Sequence, residues 1–248
     1  MAQKTPGRLR VATWNIHKGV RGIGPTRRLE IHDIGHGVEQ FDADIVCLQE
    51  VRHVHRRDER HFHRWPTLPQ AEFLAPLGYE SIYRTNAFTR HGEHGNAVLS
   101  RWPVTSHTHE DISDHRFEQR GLLHVNIQVH GRALHVIVVH FGLIPASRVR
   151  QVASLRRFIE REVPAGEALV VAGDFNGWSP HFAHALAHAG LQTAHGARAA
   201  TFPARMPVVQ LDHVFGRGLT PVGQTVPKGR IWSRMSDHLP LIADFSMG

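Results

Sequence analysis

Cysteine is almost absent. The chain of 248 residues holds one, Cys47, which excludes a disulfide framework and a cysteine-based zinc centre. Lysine is scarce too: only Lys4, Lys18 and Lys228 are found among 29 Lys plus Arg, so 26 of the cations are arginine. No apolar run approaches the ~18 residues of a membrane span. The longest are short pieces such as Val136–Val139 and Ala168–Ala172. Residues Met1–Arg10 are polar and basic without an apolar core, so no secretory leader is expected and the chain reads as cytoplasmic. There is no G-x-G-x-x-G and no G-x-x-x-x-G-K-[ST], which removes the usual dinucleotide and P-loop sites. Repeats, low-complexity tracts and long linkers are also missing.

What is present fits a globular enzyme. Hydrophobic residues make up 41% and charged residues 21%. A chain this long buries enough surface to need no staples. A single domain over 1–248 is expected, with its core at about 9–246, and as a monomer. The balance of 29 cations against 22 acids gives +7. Arginine's planar fork matches phosphate oxygens in pairs, so the composition favours nucleic acid, phospholipid headgroups or phosphate esters. A GC-rich genome choosing arginine codons gives the same composition. The 22 histidines would add charge in mild acid.

Elements alternate along the chain. Leu9–His17 reads as a strand that becomes buried. Ile31, Ile34, Val38 and Phe41 recur at helical spacing. Asp44–Gln49 is a short buried strand, and Arg52–Pro69, rich in His and Arg, is a surface loop. Gln70–Pro76 suggests a helix; Tyr79–Arg84, Asn96–Ser100 and Val104–His107 suggest strands. Leu123, Val125, Ile127 and Val129 alternate with polar residues before His130-Gly131 and Leu134–His140, which predicts a hairpin. Val149, Val152, Leu155, Ile159 and Val163 fit an amphipathic helix. Leu169–Ala172 is a buried strand and Pro180–Ala189 a helix. Val208–Phe215, Val222–Val226 and Leu239–Phe245 close the chain as strands. Hairpins mixed with αβ connections argue for an α+β or layered α/β sandwich, against a doubly wound parallel sheet.

Polar residues cluster at the ends of these apolar strands. The first ends in Trp14-Asn15-Ile16-His17 and the second in Gln49-Glu50. The hairpin ends in His140, and the next strand in Gly173-Asp174-Phe175-Asn176. Leu211-Asp212-His213 and Ser236-Asp237-His238 follow. In a sheet sandwich such ends meet at one rim. Asn15, Glu50, Asp174, Asn176, Asp212 and Asp237 would concentrate oxygen ligands there, suited to Mg²⁺ or Mn²⁺ rather than zinc. His140 and His238 beside them could act as general acid, general base or phosphate ligand.

TWNIH, LQE, GNAVLS, VVH, GDFN, LDHVF and SDHLP, in this order, resemble the motifs of the endonuclease/exonuclease/phosphatase superfamily. That family includes DNase I, exonuclease III, sphingomyelinases and inositol polyphosphate 5-phosphatases. The resemblance covers about Arg10 to Phe245. It lies closest to a bacterial branch with NIHKG and HGNAVLSR whose members sit beside cardiolipin synthases. It implies a four-layer α/β sandwich of two mainly antiparallel β-sheets flanked by helices. It also implies Mg²⁺-dependent hydrolysis of phosphate esters, most of all phosphodiesters. A nuclease of endonuclease or exonuclease type is favoured. The alternatives are a phospholipid-directed phosphodiesterase in peripheral membrane contact or a small phosphate-ester phosphatase, with a non-catalytic phosphate-binding protein as the remote one.

Carried over by motif, Glu50 is the principal Mg²⁺ ligand, with Asn15 and Asp237 at or near the metal. Asp174 orients or deprotonates the attacking water, and Asn176 holds the phosphate. His238, paired with Asp212, contacts the phosphate as a cation. His140 stabilises the phosphate or protonates the leaving oxygen. Asn96 is a polar site residue. His213 stands as a second possible partner of Asp212.

Other readings stay open beside these. Asp174 and Asn176 also suit an Asx-turn, Asn15 a turn, and Glu50 a solvated strand end. His17, two residues from Asn15, would line the same face or be a packed histidine. Lys18 and Arg21 would bind phosphate or be solvated, the second favoured. Arg120, before a strand, is a candidate phosphate clamp. His53, His55, His61 and His63 suggest zinc, but neighbouring arginines would repel a cation, so a solvated basic loop is favoured. With Trp65 that loop could shape the substrate entrance. Trp178 and Thr201-Phe202-Pro203 would stack on a base or headgroup, or anchor loops.

Overall fold

In the computed structural model the described residues are 7–177, 180–193 and 199–248. The first strand, β1 (Arg8–Asn15), is followed by the short pair β2 (Val20–Arg21) and β3 (Arg28–Leu29), then α1 (Ile31–Gln40) and β4 (Ile45–Val51). Two short helices, α2 (Arg56–His61) and α3 (Gln70–Leu74), precede β5 (Glu80–Thr89), β6 (Gly92–Ser100) and β7 (Val104–Asp111). The hairpin strands are β8 (Gly121–Val129) and β9 (Arg132–His140); α4 (Pro145–Glu162) leads to β10 (Ala168–Asp174) and α5 (Pro180–His188). The chain then forms β11 (Gln192–Thr193), β12 (Asp212–Arg217), β13 (Thr220–Thr225), α6 (Trp232–Met235) and β14 (Leu241–Ser246).

Two six-stranded sheets result, ordered β13-β14-β1-β4-β6-β5 and β11-β12-β10-β9-β8-β7. Each has one parallel pairing, β1 with β4 and β9 with β10, and is otherwise antiparallel. The four-layer sandwich follows from which face each strand buries. Leu9, Val11, Ile45 and Cys47 of the first sheet meet Val125, Val136, Val138 and Val170 of the second. The alternate residues Ala12, Trp14, Val46 and Leu48 pack under α1, α3 and α6. On the far side Ile137, Val139, Leu169 and Val171 pack under α4 and α5. A period-2 pattern with both faces apolar is what a sheet covered on both sides requires.

Local chemistry sets several of these elements. In the β8–β9 turn His130 (φ 51°) and Gly131 (φ 78°) are both left-handed, as a tight two-residue hairpin needs. Pro145 starts α4, where its missing N–H costs nothing. Val152, Leu155, Phe158 and Ile159 form the buried stripe of α4, whereas Val149, expected on that face, is exposed.

The segment 52–69 is not the solvated loop its composition suggested. It carries α2, with Arg52, His55 and Asp58 buried. Val208 and Val209 lie outside a strand; β12 begins at Asp212. Trp178 lies outside the described residues. No helix among them is long and apolar enough to cross a membrane.

Candidate active site

The C-terminal ends of β1, β4, β9 and β10 converge on one rim, because both parallel pairs point the same way. Gly173 lets β10 press against β9: at φ 150°, a Cβ there would stand 1.9 Å from the Val139 carbonyl oxygen. Asp174 consequently sits directly opposite His140.

Around the Asp174 carboxylate the site is tight. Asn15 Nδ2 donates to Asp174 Oδ2 at 3.1 Å, and the Asn176 backbone N–H donates to Oδ1 at 2.8 Å. His140 Nε2 and His238 Nε2 each stand 3.6 Å from Asp174 Oδ2. His238 Nδ1 donates to Asp212 Oδ2 at 2.9 Å. His238, rather than His213, is thus the partner of Asp212. His213 packs instead against the rings of Phe175 and Phe215.

The core holds His238 in place. Trp14 Nε1 donates to the His238 carbonyl at 2.9 Å, and Trp14 packs edge-on against Phe41 and Trp232. Phe202 lies over the His238 ring, with centroids 5.0 Å apart.

Electrostatics divide these groups. Burial works against a charged His238, but Asp212 and then Asp174 and Asp237 outweigh it, raising the imidazole to about 10. Burial, reinforced by Arg120, lowers His140 to about 4. One histidine is therefore a cation and its neighbour neutral. Burial and the Asp212 charge raise the Asp174 carboxyl above the ordinary range. A carboxylate moved up in this way is a better proton acceptor near neutral pH.

A second set of oxygens opens beside this network. Glu50 has a left-handed backbone (φ 57°) just past Leu48, where the pairing of β4 with β6 shifts register, and this turns its side chain into the rim. Glu50 Oε2 and Asp237 Oδ1 lie 3.9 and 3.4 Å from His17 Nδ1, so the two carboxylates approach one spot. Lys18 Nζ lies 2.6 Å from Glu50 Oε2. Burial opposes ionisation of Glu50, but Lys18, His140 and His17 prevail and hold its carboxyl well below the usual range.

An ionised carboxylate with an ammonium already against it, a second carboxylate and the Asn15 amide oxygen make a hard-oxygen set that fits a divalent cation. Asp174, Asp212 and His238 also offer atoms within 4.8 Å of one another. That trio is a poor metal cage, because a protonated His238 has no lone pair to give.

The remaining expected residues fall in different places. Asn176 Nδ2 donates to the Phe141 carbonyl at 2.8 Å, so the amide donor expected to hold the phosphate is spent on the backbone. Asn96 is fully buried, and its Nδ2 donates to the carbonyls of Gly121 (3.0 Å) and Val138 (3.3 Å). It braces one sheet against the other rather than facing a substrate. Arg120 Nε donates to the Phe141 carbonyl at 3.1 Å and its Nη2 pairs with Glu118, so the guanidinium is tied down beside His140. Of the histidines in the 52–65 segment, His53 stacks on Tyr83, His61 lies edge-on to Phe62 and His55 faces Asp58, and none belongs to a cluster of metal-ligating groups among the described residues.

Two residues near the rim were undervalued in the sequence. Lys18, read as solvated, is folded back onto Glu50 by left-handed conformations at His17, Lys18 and Gly19. His94 went unnoticed although it stands two residues before Asn96 in the GNAVLS motif. Burial lowers it to about 4, with the Glu50 charge pulling the other way.

The four-layer sandwich is a DNase I-like fold. The sequence profile of the endonuclease/exonuclease/phosphatase family matches residues 12–238, and the chain belongs to that family. The family is in general hydrolytic on phosphate esters and typically depends on a divalent metal. The uncharacterized protein YbhP of Escherichia coli K12 is 39% identical over 246 residues, covering 96% of each chain. Among solved structures, the endonuclease/exonuclease/phosphatase from Bacteroides vulgatus superposes with a TM-score of 0.75 at 18% identity, covering 99% of this chain and 100% of that one. D. rerio TDP2 complexed with single strand DNA product superposes with a TM-score of 0.72 at 17% identity, covering 96% and 99%.

Proposed function

We propose that this protein is a Mg²⁺-dependent phosphodiesterase acting on nucleic acid, with the whole of 1–248 working as one domain. The observation that carries the reading is the asymmetric histidine pair. A cationic His238 and a neutral His140 flank one buried carboxylate, beside an oxygen set suited to a hard cation.

Glu50, Asp237 and Asn15 would hold the metal. When bound, it supplies neutralisation of the non-bridging phosphate oxygens. The chain's own groups do the rest. Asp174, fixed by Asn15 and Asn176, orients the attacking water and accepts its proton at Oδ2. His238, held cationic by Asp212, contacts the phosphate and stabilises the charge that grows there. His140, neutral, donates one hydrogen bond to a phosphate oxygen. Its lowered basicity favours that role over protonating the leaving oxygen.

Nucleic acid is favoured by the +7 charge carried almost wholly on arginine. The same fold also holds single strand DNA product in D. rerio TDP2.

The test is a turnover panel in Mg²⁺ and in Mn²⁺ with Glu50→Ala as the blank. It contains plasmid and single-stranded DNA, RNA, inositol phosphates, and vesicles of cardiolipin or phosphatidylglycerol. The expected result is cutting of DNA or RNA that vanishes in Glu50→Ala while circular dichroism stays unchanged. Full activity in Glu50→Ala would remove the metal assignment. Turnover confined to the vesicles would replace nucleic acid by phospholipid.

A further inference from the structure

The basic segment after β4 builds a second polar site next to the rim. Asp58 is fully buried in α2, and two guanidinium groups converge on one of its oxygens, Oδ2: Arg27 Nη2 at 2.7 Å and Arg52 Nη1 in close contact. The neighbouring His55 offers no negative charge; its Nδ1 stands 3.2 Å from the Asp58 backbone N and 3.1 Å from Asp58 Oδ2. Buried Arg52 and half-buried Arg27 thus share one carboxylate, with the Glu50 charge also acting on Arg52, and the cavity wall itself keeps a net positive charge.

A cavity of about 500 Å³ opens on it. Arg57, His61 and His91 complete the wall, and Asp58 is the only acid among the lining residues. Two guanidinium groups that share one carboxylate leave positive charge for which a counter-anion is favourable. Guanidinium groups match phosphate oxygens in pairs, and three arginines line this cavity.

The cavity is wired to the rim through one side chain. The Arg52 backbone N–H donates to Gln70 Oε1 at 2.9 Å, and Gln70 Nε2 donates to the Lys18 carbonyl at 2.9 Å. Lys18 in turn contacts Glu50, which lies only two residues before Arg52. A ligand that spans the rim and the cavity would therefore meet two fixed points on one rigid support.

We propose that this cavity binds a second phosphate group of the same substrate whose first phosphate is attacked at the rim. The substrate would then carry at least two phosphates, as an oligonucleotide or a small polyphosphorylated molecule does. The inference rests on the phosphoesterase reading of the rim for the words "same substrate", but not for the anion site itself.

The experiment has two parts on the full-length protein. First, binding of inorganic phosphate is followed by ³¹P NMR and calorimetry in EDTA, for the wild type, Arg57→Glu and Arg27→Gln. Weakening of at least about tenfold is expected in both variants. Arg57 is exposed, so Arg57→Glu keeps the test valid should Arg27→Gln fail to fold. Second, KM is compared for a one-phosphate diester, bis(p-nitrophenyl) phosphate, a 5′-phosphorylated dinucleotide and an inositol bisphosphate. Arg57→Glu is expected to lower the preference for one of the two-phosphate substrates by about tenfold, and the one affected identifies the source.

Phosphate binding that no cavity variant alters overturns the proposal. So does an unchanged preference for both two-phosphate substrates in a protein that turns them over. If nothing is turned over but the cavity variants still lose phosphate, the anion site stands and the phosphoesterase reading fails.

Discussion

Two β–α–β units, β1–α1–β4 and β9–α4–β10, are built alike and end in different chemistry. Each supplies the parallel pair at the centre of its sheet, and antiparallel strands flank it on both sides. At the rim the first ends in Asn15 and Glu50, the second in His140 and Asp174. In the second unit His140 and Asp174 are register partners, and both side chains are buried, 5% and 1% exposed. In the first unit the partner of Asn15 is Gln49, spent on a hydrogen bond to the Cys47 carbonyl. Glu50 comes one residue later, 16% exposed, and the neighbouring Asp237 is 44% exposed. One frame thus yields a closed half, where burial moves proton affinities apart, and an open half, where a carboxylate stays ionised. A shift of one residue at the end of a strand separates the two.

The largest effect should come from the closed half. Asp212→Asn removes the charge that keeps His238 protonated, and we expect turnover to fall by about 10³-fold. The pH profile checks the cause. His238, raised to about 10, is a cation below that value and loses its proton above it. In Asp212→Asn the alkaline limb should therefore move down toward the ordinary value of about 6.5. A limb that stays in place would break the assignment of His238 as the cation.

The open half should answer differently. Glu50→Gln is expected to cost about 10²-fold at fixed Mg²⁺, and raising Mg²⁺ tenfold should restore part of it. The same titration should do nothing for Asp212→Asn. Equal responses from the two variants would erase the division of labour.

Acid should also separate the sheets. His124 and His140 of the second sheet are both lowered to about 4, burial being the main cause, whereas His94 alone is so lowered in the first. A histidine depressed on folding contributes stability that is complete above its unfolded value of about 6.5 and is lost as pH falls toward about 4. Each contributes up to about 3 kcal/mol. Hydrogen exchange between pH 7 and 4.5 should therefore show the second sheet losing protection first.

The smallest effect concerns backbone strain. Glu50 and Asn176 are both left-handed, at φ 57° and 50°. Asparagine visits that region readily and glutamate does not. Glu50→Gly should raise stability by about 1 kcal/mol while abolishing activity, and Asn176→Gly should raise it by only a few tenths. Thermal unfolding of the two variants compares them directly.

The layers were legible because patterning reaches them directly. Leu123, Val125, Ile127 and Val129 alternate, and a turn pair follows. Trp14-Asn15 and Gly173-Asp174 mark where apolar strands become polar. Yet nothing in the local pattern around 56–61 announces α2. That helix has no apolar repeat and is held by Asp58 buried against two arginines. Asn96 was placed on the right strand, but which neighbour its amide would meet depends on how two sheets pack. His94 and Lys18 gained their surroundings from distant segments, and Glu50 adopts its unusual backbone without a glycine to signal it. Spacing along the chain shows which residues share an edge; which of them end up sealed from water is decided by packing.

The rim away from the chemistry has a practical consequence. Arg8 pairs with Ser246 there, the His130-Gly131 turn lies under Trp102 with ring centroids 4.5 Å apart, and the backbone N–H of Met247 donates to the Gly7 carbonyl. Every strand that carries a reactive side chain to one end leaves its quiet end on this side. A molecule tethered by this edge, to a bead or a sensor surface, would be oriented with its working mouth facing the solution.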